Sequence, residues 1–152
     1  MVNGKSHKQG YYIPINKQKY VGDITSIRYL SSWENGVCKW ADLNPAIQYW
    51  SSESAKIKYK CATDDSIHTY IIDFTFKYTD GTILLVEVKP ANQTVLPKAS
   101  KGKKKSTVLT ENLVFLKNKS KWLAADAYAK QNGAKFVIWT EVKLRQLGIP
   151  CG

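Results

Sequence analysis

The feature that most constrains the fold is a long stretch of alternating apolar residues with one tight-turn signal in its middle. Residues 68–90 read HTYIIDFTFKYTDGTILLVEVKP, and Asp80-Gly81 between the two apolar arms predicts an antiparallel β-hairpin. The second arm ends with Glu87 and Lys89, although such an apolar run normally forms a buried strand. Burying charges is costly unless they are paired or bound to a metal, so this end of the hairpin requires a chemical explanation.

The length of the turn decides which side chains of the two arms share a face. A two-residue loop would set the aromatic face of the first arm beside the charges of the second, which is a poor core. A three-residue loop over Thr79–Gly81 sets Phe74 beside Val86 and Ile72 beside Val88, so the apolar face is continuous. Because a one-residue slip flips every side chain, burial favours the three-residue loop. One face of the first arm is then expected to carry Tyr70, Ile72, Phe74 and Phe76.

The same register predicts two carboxylates opposite each other on the second face. Asp73 falls across from Glu87, with Lys89 one pair further along. Like charges repel there, because directly opposed Cβ atoms lie ~5 Å apart, and a bound divalent cation would remove the conflict. Mg²⁺ takes oxygen ligands and often bridges one or two carboxylates to a phosphate. The pattern therefore predicts a phosphodiester-cleaving site, in which the lysine orients the attacking water or offsets charge developing in the transition state.

The two acids also have a purely structural interpretation. They could lie on a solvent-facing surface of the sheet, with Lys77 and Lys89 as salt-bridge partners. Ile71, Ile83 and Leu85 lie on the same predicted face, which argues against full exposure. The spacing alone leaves both interpretations open.

The charge balance narrows the class of partner. Lys and Arg number 23 against 12 Asp and Glu, and a net charge of +11 favours a polyanion, most often nucleic acid. No apolar run approaches the ~20 residues that span a bilayer, so no membrane partner is expected. A basic loop rich in Pro, Gly and Ser is predicted over 91–108. Its candidate DNA-binding residues, which could equally be solvated side chains of a mobile loop, are Lys98, Lys101, Lys103, Lys104 and Lys105.

The cysteines and histidines give no sequence signature of a metal site. Cys38, Cys61 and Cys151 are widely spaced, and the sequence contains no CxxC pair or Cys/His cluster. Reduced thiols and no zinc site are therefore expected. His7 and His68 each stand alone, so both are expected to be solvated.

The remaining patterns predict an ordered succession of elements in a single domain of 152 residues. An extended arm is expected over residues 1–22, followed by a helix that begins with a Ser31–Glu34 capping box. A strand over 55–60 precedes the hairpin. A second helix over 110–132, with Thr110 as its N-cap, then leads to a last strand and a short terminal helix. Before any resemblance is considered, the capping box explains Glu34 without chemistry.

Several longer motifs carry a resemblance to a known family. In this order, KYVGDITSI, SSWE, NPAIQYWSSE, YIIDF and GTILLVEVKP resemble the head-completion nucleases of large contractile-tailed phages. They resemble the TnsA transposon-end endonuclease more distantly. The D-x13-E-V-K pattern of Asp73, Glu87 and Lys89 is similar to the PD-(D/E)xK nuclease signature, with Ile72 where proline is usual. The likeness spans residues 19–90.

The resemblance implies an α/β fold with a restriction-endonuclease-like core: a central mixed β-sheet with an antiparallel hairpin, flanked by helices. It implies an endonuclease that cleaves DNA with Mg²⁺, or alternatively Mn²⁺, during head completion and before head–tail joining. By motif position, the catalytic residues would be Glu34, Asp73, Glu87 and Lys89. The metal ligands would be the carboxylates of Asp73, Glu87 and Glu34 with the main-chain carbonyl of Val88.

DNA is the expected partner, with phage head or portal and neck proteins as further candidates. The expected location is the host-cell cytoplasm during phage assembly, or the virion. Two other functions stay open: a non-enzymatic DNA-binding virion assembly protein, and a junction-resolving or repair nuclease of the same superfamily. The geometry of the hairpin distinguishes a non-enzymatic DNA-binding protein from a nuclease, because a nuclease requires Asp73 and Glu87 to face the same side of the hairpin.

Overall fold

A computed structural model describes residues 8–151. Along this part of the chain, the strands and α-helices follow in the order β1 (Gly10–Tyr11), β2 (Arg28–Tyr29), α1 (Ser32–Leu43), β3 (Ile47–Ser52), β4 (Lys56–Lys60), β5 (Ile67–Ile71), β6 (Phe74–Tyr78), β7 (Ile83–Val88), α2 (Lys105–Gln131), β8 (Lys135–Trp139) and α3 (Glu141–Gln146). Two short 3-10 helices, Lys17–Lys19 and Ala91–Gln93, lie in the connections.

The centre of the fold is a four-stranded mixed sheet with the order β3-β6-β7-β8. β6 pairs antiparallel with β3 and β7, whereas β7 and β8 are parallel, because α2 returns the chain to the same end of the sheet. Two short ribbons, β1-β2 and β4-β5, lie outside this sheet. The mixed sheet with flanking helices confirms the expected fold class. Of the helices between residues 8 and 151, none is both long and apolar enough to cross a bilayer.

Two hydrophobic clusters cover the two faces of the sheet. Val86 and Val88 pack with α1 in the first cluster, and Leu85 packs with α2 and the β4-β5 ribbon in the second. This division follows from the strand geometry, since successive side chains of β7 point to opposite faces. The same alternation turns Glu87 toward the α2 side, next to Leu85.

The hairpin has the predicted register. Phe74 is paired with Val86 and Thr75 with Leu85, which is the arrangement of the three-residue loop. Tyr78 N donates to Thr82 O at 2.8 Å to close the turn. Gly81 has φ +94°, a conformation that residues with a Cβ rarely adopt, so glycine suits this position of the turn.

The expected continuity of the first hairpin arm is wrong. β5 leaves the central sheet to pair with β4, and the chain bends at Ile72 and Asp73 before β6 begins. Backbone hydrogen bonds hold this bend: Ile72 N donates to Ala55 O, and Glu53 N donates to Asp73 O, both at 2.9 Å. Tyr70 and Ile72 therefore pack in the second cluster, against α2, instead of sharing a face with the phenylalanines of β6.

The predicted start of the long helix is also wrong, and so is the extent of the basic loop. α2 begins at Lys105, so residues 105–108, which were predicted to end the loop, form the first turn of the helix. Thr110 is not a cap, because its hydroxyl donates to Ser106 O at 2.9 Å within the helix. No Gly or Pro lies between Gly102 and Gly133, and a nucleated helix extends one hydrogen bond per residue through such a segment. Gly133, with φ +67°, ends the helix where predicted.

The described part of the expected N-terminal arm is fastened to the end of α1; residues 1–7 lie outside the described residues. Asp42 is fully buried and accepts hydrogen bonds from Tyr12 OH (2.7 Å), Ile15 N (2.7 Å) and Asn16 N (2.9 Å). Lys19 Nζ donates to main-chain carbonyls at the C-terminal end of the helix, where a positive charge is favourable. The Asp42 carboxylate and the Lys19 ammonium group thus fasten the arm to the end of α1.

Candidate active site

One cleft collects the four predicted catalytic residues. It has a volume of about 470 Å³ and opens where the start of α1, the bend before β6 and the end of β7 meet. Its lining includes Glu34, Asp73, Glu87 and Lys89. Asp73 and Glu87 therefore face the same side of the hairpin, as a nuclease site requires.

Glu87 is the most enclosed of the three acids. Its residue is 6% exposed, because β7 lies between β6 and β8 and α2 covers this face. Tyr70 OH donates to Glu87 Oε1 at 2.5 Å, and Lys89 Nζ lies 3.3 Å from Oε2. Both oxygens of the carboxylate are thus held in fixed directions.

Asp73 reaches the end of β7 from the bend. The paired register ends at Phe74 and Val86, so Asp73 lies one residue beyond the ladder that was expected to include it. Its Oδ2 accepts a hydrogen bond from Val88 N at 2.8 Å. The bend between β5 and β6, which was not predicted, thereby places the Asp73 carboxylate against the backbone next to Glu87.

Glu34 has a capping role in addition to its position in the cleft. Its backbone N–H donates to Ser31 Oγ at 3.2 Å, as the capping box predicts. The reciprocal bond differs, because Glu34 Oε1 accepts from Leu30 N at 3.1 Å, one residue earlier than a capping box requires. Ser31 Oγ lies 3.3 Å from the second carboxylate oxygen of Glu34, which is 8% exposed as a residue.

Tyr70 is a site residue that sequence reasoning missed. Burial, together with the charge of Glu87 and the hydrogen bond to it, raises the pKa of the Tyr70 hydroxyl far above its ordinary value. The hydroxyl is therefore a permanent donor to Glu87. In the sequence, Tyr70 had no signal that separates it from a core aromatic, because it lies in an apolar strand.

Lys121 is a second residue that sequence reasoning missed. It projects from α2 into the cleft, with Nζ 5.5 Å from the centroid of the Tyr70 ring. Burial lowers the pKa of Lys121, while the charge of Glu87 raises it and those of Lys89 and Lys117 lower it further. The spacing of Lys117 and Lys121, one helical turn apart, was the available signal.

The cleft reverses the charge balance of the chain. Three carboxylates, from Glu34, Asp73 and Glu87, face two ammonium groups, from Lys89 and Lys121, in a chain of net charge +11. Two of these acids belong to residues that are more than nine-tenths buried. Such burial is costly unless partners or a cation compensate for it.

The predicted DNA-binding lysines lie apart from the cleft lining. All five are exposed in the segment before α2 and at its start: Lys98, Lys101, Lys103, Lys104 and Lys105. Lys103 Nζ forms an ion pair with Glu111 at 2.8 Å. From Lys105 to Lys121 the helix axis runs ~24 Å, at ~1.5 Å per residue.

Comparison with known proteins gives two consistent findings. A family model described as TnsA-like endonuclease N terminal matches residues 44–141, which include Asp73, Glu87 and Lys89 but not Glu34. The chain is also 37% identical over 142 residues to the head completion nuclease of Enterobacteria phage T4, covering 91% of this chain and 95% of the relative. No solved structure matches.

Proposed function

The chain belongs to the TnsA-like endonuclease family, and we propose that it is a Mg²⁺-dependent DNA endonuclease that acts in phage head completion. The observation that carries the chemistry is the meeting of Asp73, Glu87 and Lys89 in one cleft with a surplus of carboxylate charge. The function of the phage T4 relative, as its name states it, supports the biological step.

The residues of the cleft fit a hard divalent cation. The side-chain donors that line the cleft are the carboxylates of Asp73, Glu87 and Glu34; the main-chain carbonyl of Val88 at the end of β7, which is not part of the cleft lining, would be a further oxygen ligand. This is the ligand class that Mg²⁺ and Mn²⁺ prefer. When bound, the ion supplies Lewis-acid polarisation of the scissile phosphate and lowers the pKa of a water molecule.

The other groups of the cleft have positioning and charge-compensating roles. Tyr70 holds one oxygen of Glu87, and the Val88 N–H holds one oxygen of Asp73, so both acids are oriented before substrate arrives. Lys89, kept 3.3 Å from Glu87, would orient the attacking water. Lys121 would offset the negative charge that develops on the phosphate.

A row of exposed lysines leads away from the cleft and would contact the DNA backbone. On β4, exposed Lys56, Lys58 and Lys60 alternate with buried Ile57 and Tyr59. Lys58 Nζ donates to the hydroxyl of Thr69 at 2.7 Å, and Thr69 lines the cleft. The outer face of the β4-β5 ribbon is therefore continuous with the cleft. Phosphate contacts along it would give affinity without base specificity.

The basic segment before α2 would then meet DNA far from the bond that is cut. The ~24 Å along α2 corresponds to ~7 base pairs at ~3.4 Å each. We propose that Lys98, Lys101, Lys103, Lys104 and Lys105 contribute to binding the flanking duplex, whereas Lys121 acts at the cleft.

Cleavage of supercoiled plasmid tests the proposed function. We expect nicked or linear product with Mg²⁺ and none with EDTA, and losses of at least ~100-fold in Asp73→Asn, Glu87→Gln and Lys89→Ala. Lys77→Ala and Asp126→Asn are matched controls, because both residues lie outside the cleft lining. DNA binding without cleavage by the wild-type protein would instead favour a non-enzymatic assembly protein. Much faster cleavage of a four-way junction than of a duplex would favour a junction-resolving nuclease.

A further inference from the structure

The turn between β4 and β5 gathers three side chains that bind transition metals. The Sγ of Cys61, a carboxylate oxygen of Asp64 and a ring nitrogen of His68 all lie within 4.8 Å of one another. No zinc site was expected here, because these residues form no familiar spacing along the chain. The turn brings them together at the end of the ribbon, and none of the three lines the cleft.

We propose that Cys61, Asp64 and His68 bind one Zn²⁺ or a similar thiophilic divalent ion, as a structural clamp on the β4-β5 ribbon. Thiolate, imidazole and carboxylate are the three protein ligand types of zinc sites, and a water molecule completes a tetrahedral set. This donor set selects against Mg²⁺, which prefers oxygen ligands alone. The proposed clamp and the cleft would therefore take different metals.

Backbone hydrogen bonds close the turn that carries the three ligands. Cys61 N donates to Ser66 O at 2.8 Å and Asp65 N donates to Cys61 O at 2.9 Å, so the backbone is closed on both sides of the ligands. Asp65 has φ +57°, a strained conformation for a residue other than glycine. Ala62 N donates to Ser120 Oγ of α2 at 3.1 Å, which ties the turn to the body of the protein. A fixed turn lowers the entropy lost when the ligands converge.

Neighbouring groups orient each of the three ligands. His68 Nε2 lies 2.7 Å from Asp64 Oδ2 and 3.0 Å from Ser66 Oγ, and its ring stacks on Tyr59 with a centroid distance of 5.7 Å. Thr63 Oγ1 lies 3.1 Å from Cys61 Sγ. Hydrogen bonds from Thr63 lower the pKa of the Cys61 thiol. The hydroxyls of Thr63 and Ser66 would remain as partners of the ligands around a bound ion.

The proposed ion would act on the ribbon that carries Tyr70 to the cleft. Cys61 follows the last residue of β4, while Tyr70 lies on β5 opposite Ile57. A clamp at the turn would hold the two strands together at the end away from the bend. It would therefore stabilise the fold without taking part in the chemistry.

Titration of the metal-free full-length protein with Co²⁺ tests the proposal. We expect one equivalent to give thiolate-to-metal charge-transfer absorption and tetrahedral d–d bands, and one equivalent of Zn²⁺ to abolish both. Cys61→Ser should lose the charge-transfer band, whereas Cys38→Ser and Cys151→Ser should keep it. Because Cys61 is buried and its substitution could perturb folding, His68→Ala provides a second test on a partly exposed residue.

We expect His68→Ala to weaken Co²⁺ binding by at least ~10-fold, and Zn²⁺ to raise the Tm of the wild-type protein but not of this variant. Absence of a charge-transfer band in the wild-type protein would overturn the proposal. So would a band of full intensity in Cys61→Ser, or unchanged Co²⁺ affinity in His68→Ala.

Discussion

The substitution Glu34→Gln separates the capping role of this side chain from a role in the cleft. Glutamine keeps an oxygen that can accept from Leu30 N, now 3.1 Å from Glu34 Oε1. Its amide group can also donate to Ser31 Oγ, which lies 3.3 Å from Oε2. Because both contacts survive, the free energy of unfolding should change by less than about 1 kcal/mol, the usual scale of a cap.

The effect on cleavage should be larger if Glu34 belongs to the metal site. An amide lacks the negative charge that attracts Mg²⁺, so the rate of plasmid cleavage should fall ~10–100-fold, the scale of a lost partner in the metal's surroundings. Single-turnover cleavage and urea unfolding would be measured on the same preparations. Glu53→Gln is the matched control, since Glu53 pairs with Arg28 at 3.4 Å and does not line the cleft.

Ser31→Ala supplies the converse perturbation. It removes the oxygen that accepts from Glu34 N at 3.2 Å and should cost about 0.5–2 kcal/mol of stability. The substitution also removes the contact of Ser31 Oγ with Glu34 Oε2, but the carboxylate itself and its hydrogen bond from Leu30 N are retained, so cleavage at a temperature well below Tm should stay within a few-fold of wild type. Full activity in Glu34→Gln would refute the reasoning and leave Glu34 as a cap alone.

Three further predictions concern the rest of the chain. Tyr70→Phe should reduce the rate of DNA cleavage ~10–100-fold and lower the free energy of unfolding by about 1–3 kcal/mol, because the buried Glu87 carboxylate loses a hydrogen-bond donor. Cleavage at the wild-type rate would show that Tyr70 has no positioning role. Burial raises the pKa of Asp42, but hydrogen bonds from the arm lower it more, so the folded pKa lies below the unfolded value of about 3.9. The Asp42 carboxylate should therefore stabilise the protein at pH values above the unfolded pKa and lose this effect as the pH falls through the folded pKa. Asp42→Asn should lower the free energy of unfolding by about 1–3 kcal/mol in urea unfolding at pH 7. A difference in the free energy of unfolding between this variant and wild type that failed to shrink toward pH 3 would contradict this. Replacement of four lysines by Gln should make the plot of log binding constant for DNA against log salt concentration shallower by up to ~3–4 units; the four are Lys101, Lys103, Lys104 and Lys105. An unchanged slope would count against phosphate contacts.

The parts of the fold that local sequence determines were predictable. The three-residue turn at Gly81 and the pairing of Phe74 with Val86 follow from alternation and from the requirement of a continuous apolar face. The break at Ile72 and Asp73 could not be predicted in this way. Residues on both sides of it keep the same alternation, and the choice of β4 as the partner of β5 depends on contacts distant in sequence.

From the residues alone, the membership of the cleft was predictable only where charge interrupted an apolar pattern, and the assignment of Glu34 to the site came from the family resemblance. Glu87 and Lys89 were recognisable as charged residues in an apolar strand, whereas Tyr70 and Lys121 reach the cleft through the packing of other elements. β3 has a signal in the sequence, the run IQYW after the end of α1. The approach of Cys61 to His68 depends on the turn between their strands and leaves no recognisable spacing.

The position of a bound metal ion tests the central claim most directly. Crystals grown with Mn²⁺ in place of Mg²⁺ would be measured for anomalous scattering, in the wild-type protein and in Glu87→Gln. We expect a peak in the cleft of the wild-type protein, in contact with the carboxylates of Asp73 and Glu87, and its loss in the variant. A protein that cleaves DNA with Mn²⁺ while its cleft holds no ion, or holds one that contacts neither acid, would contradict the account.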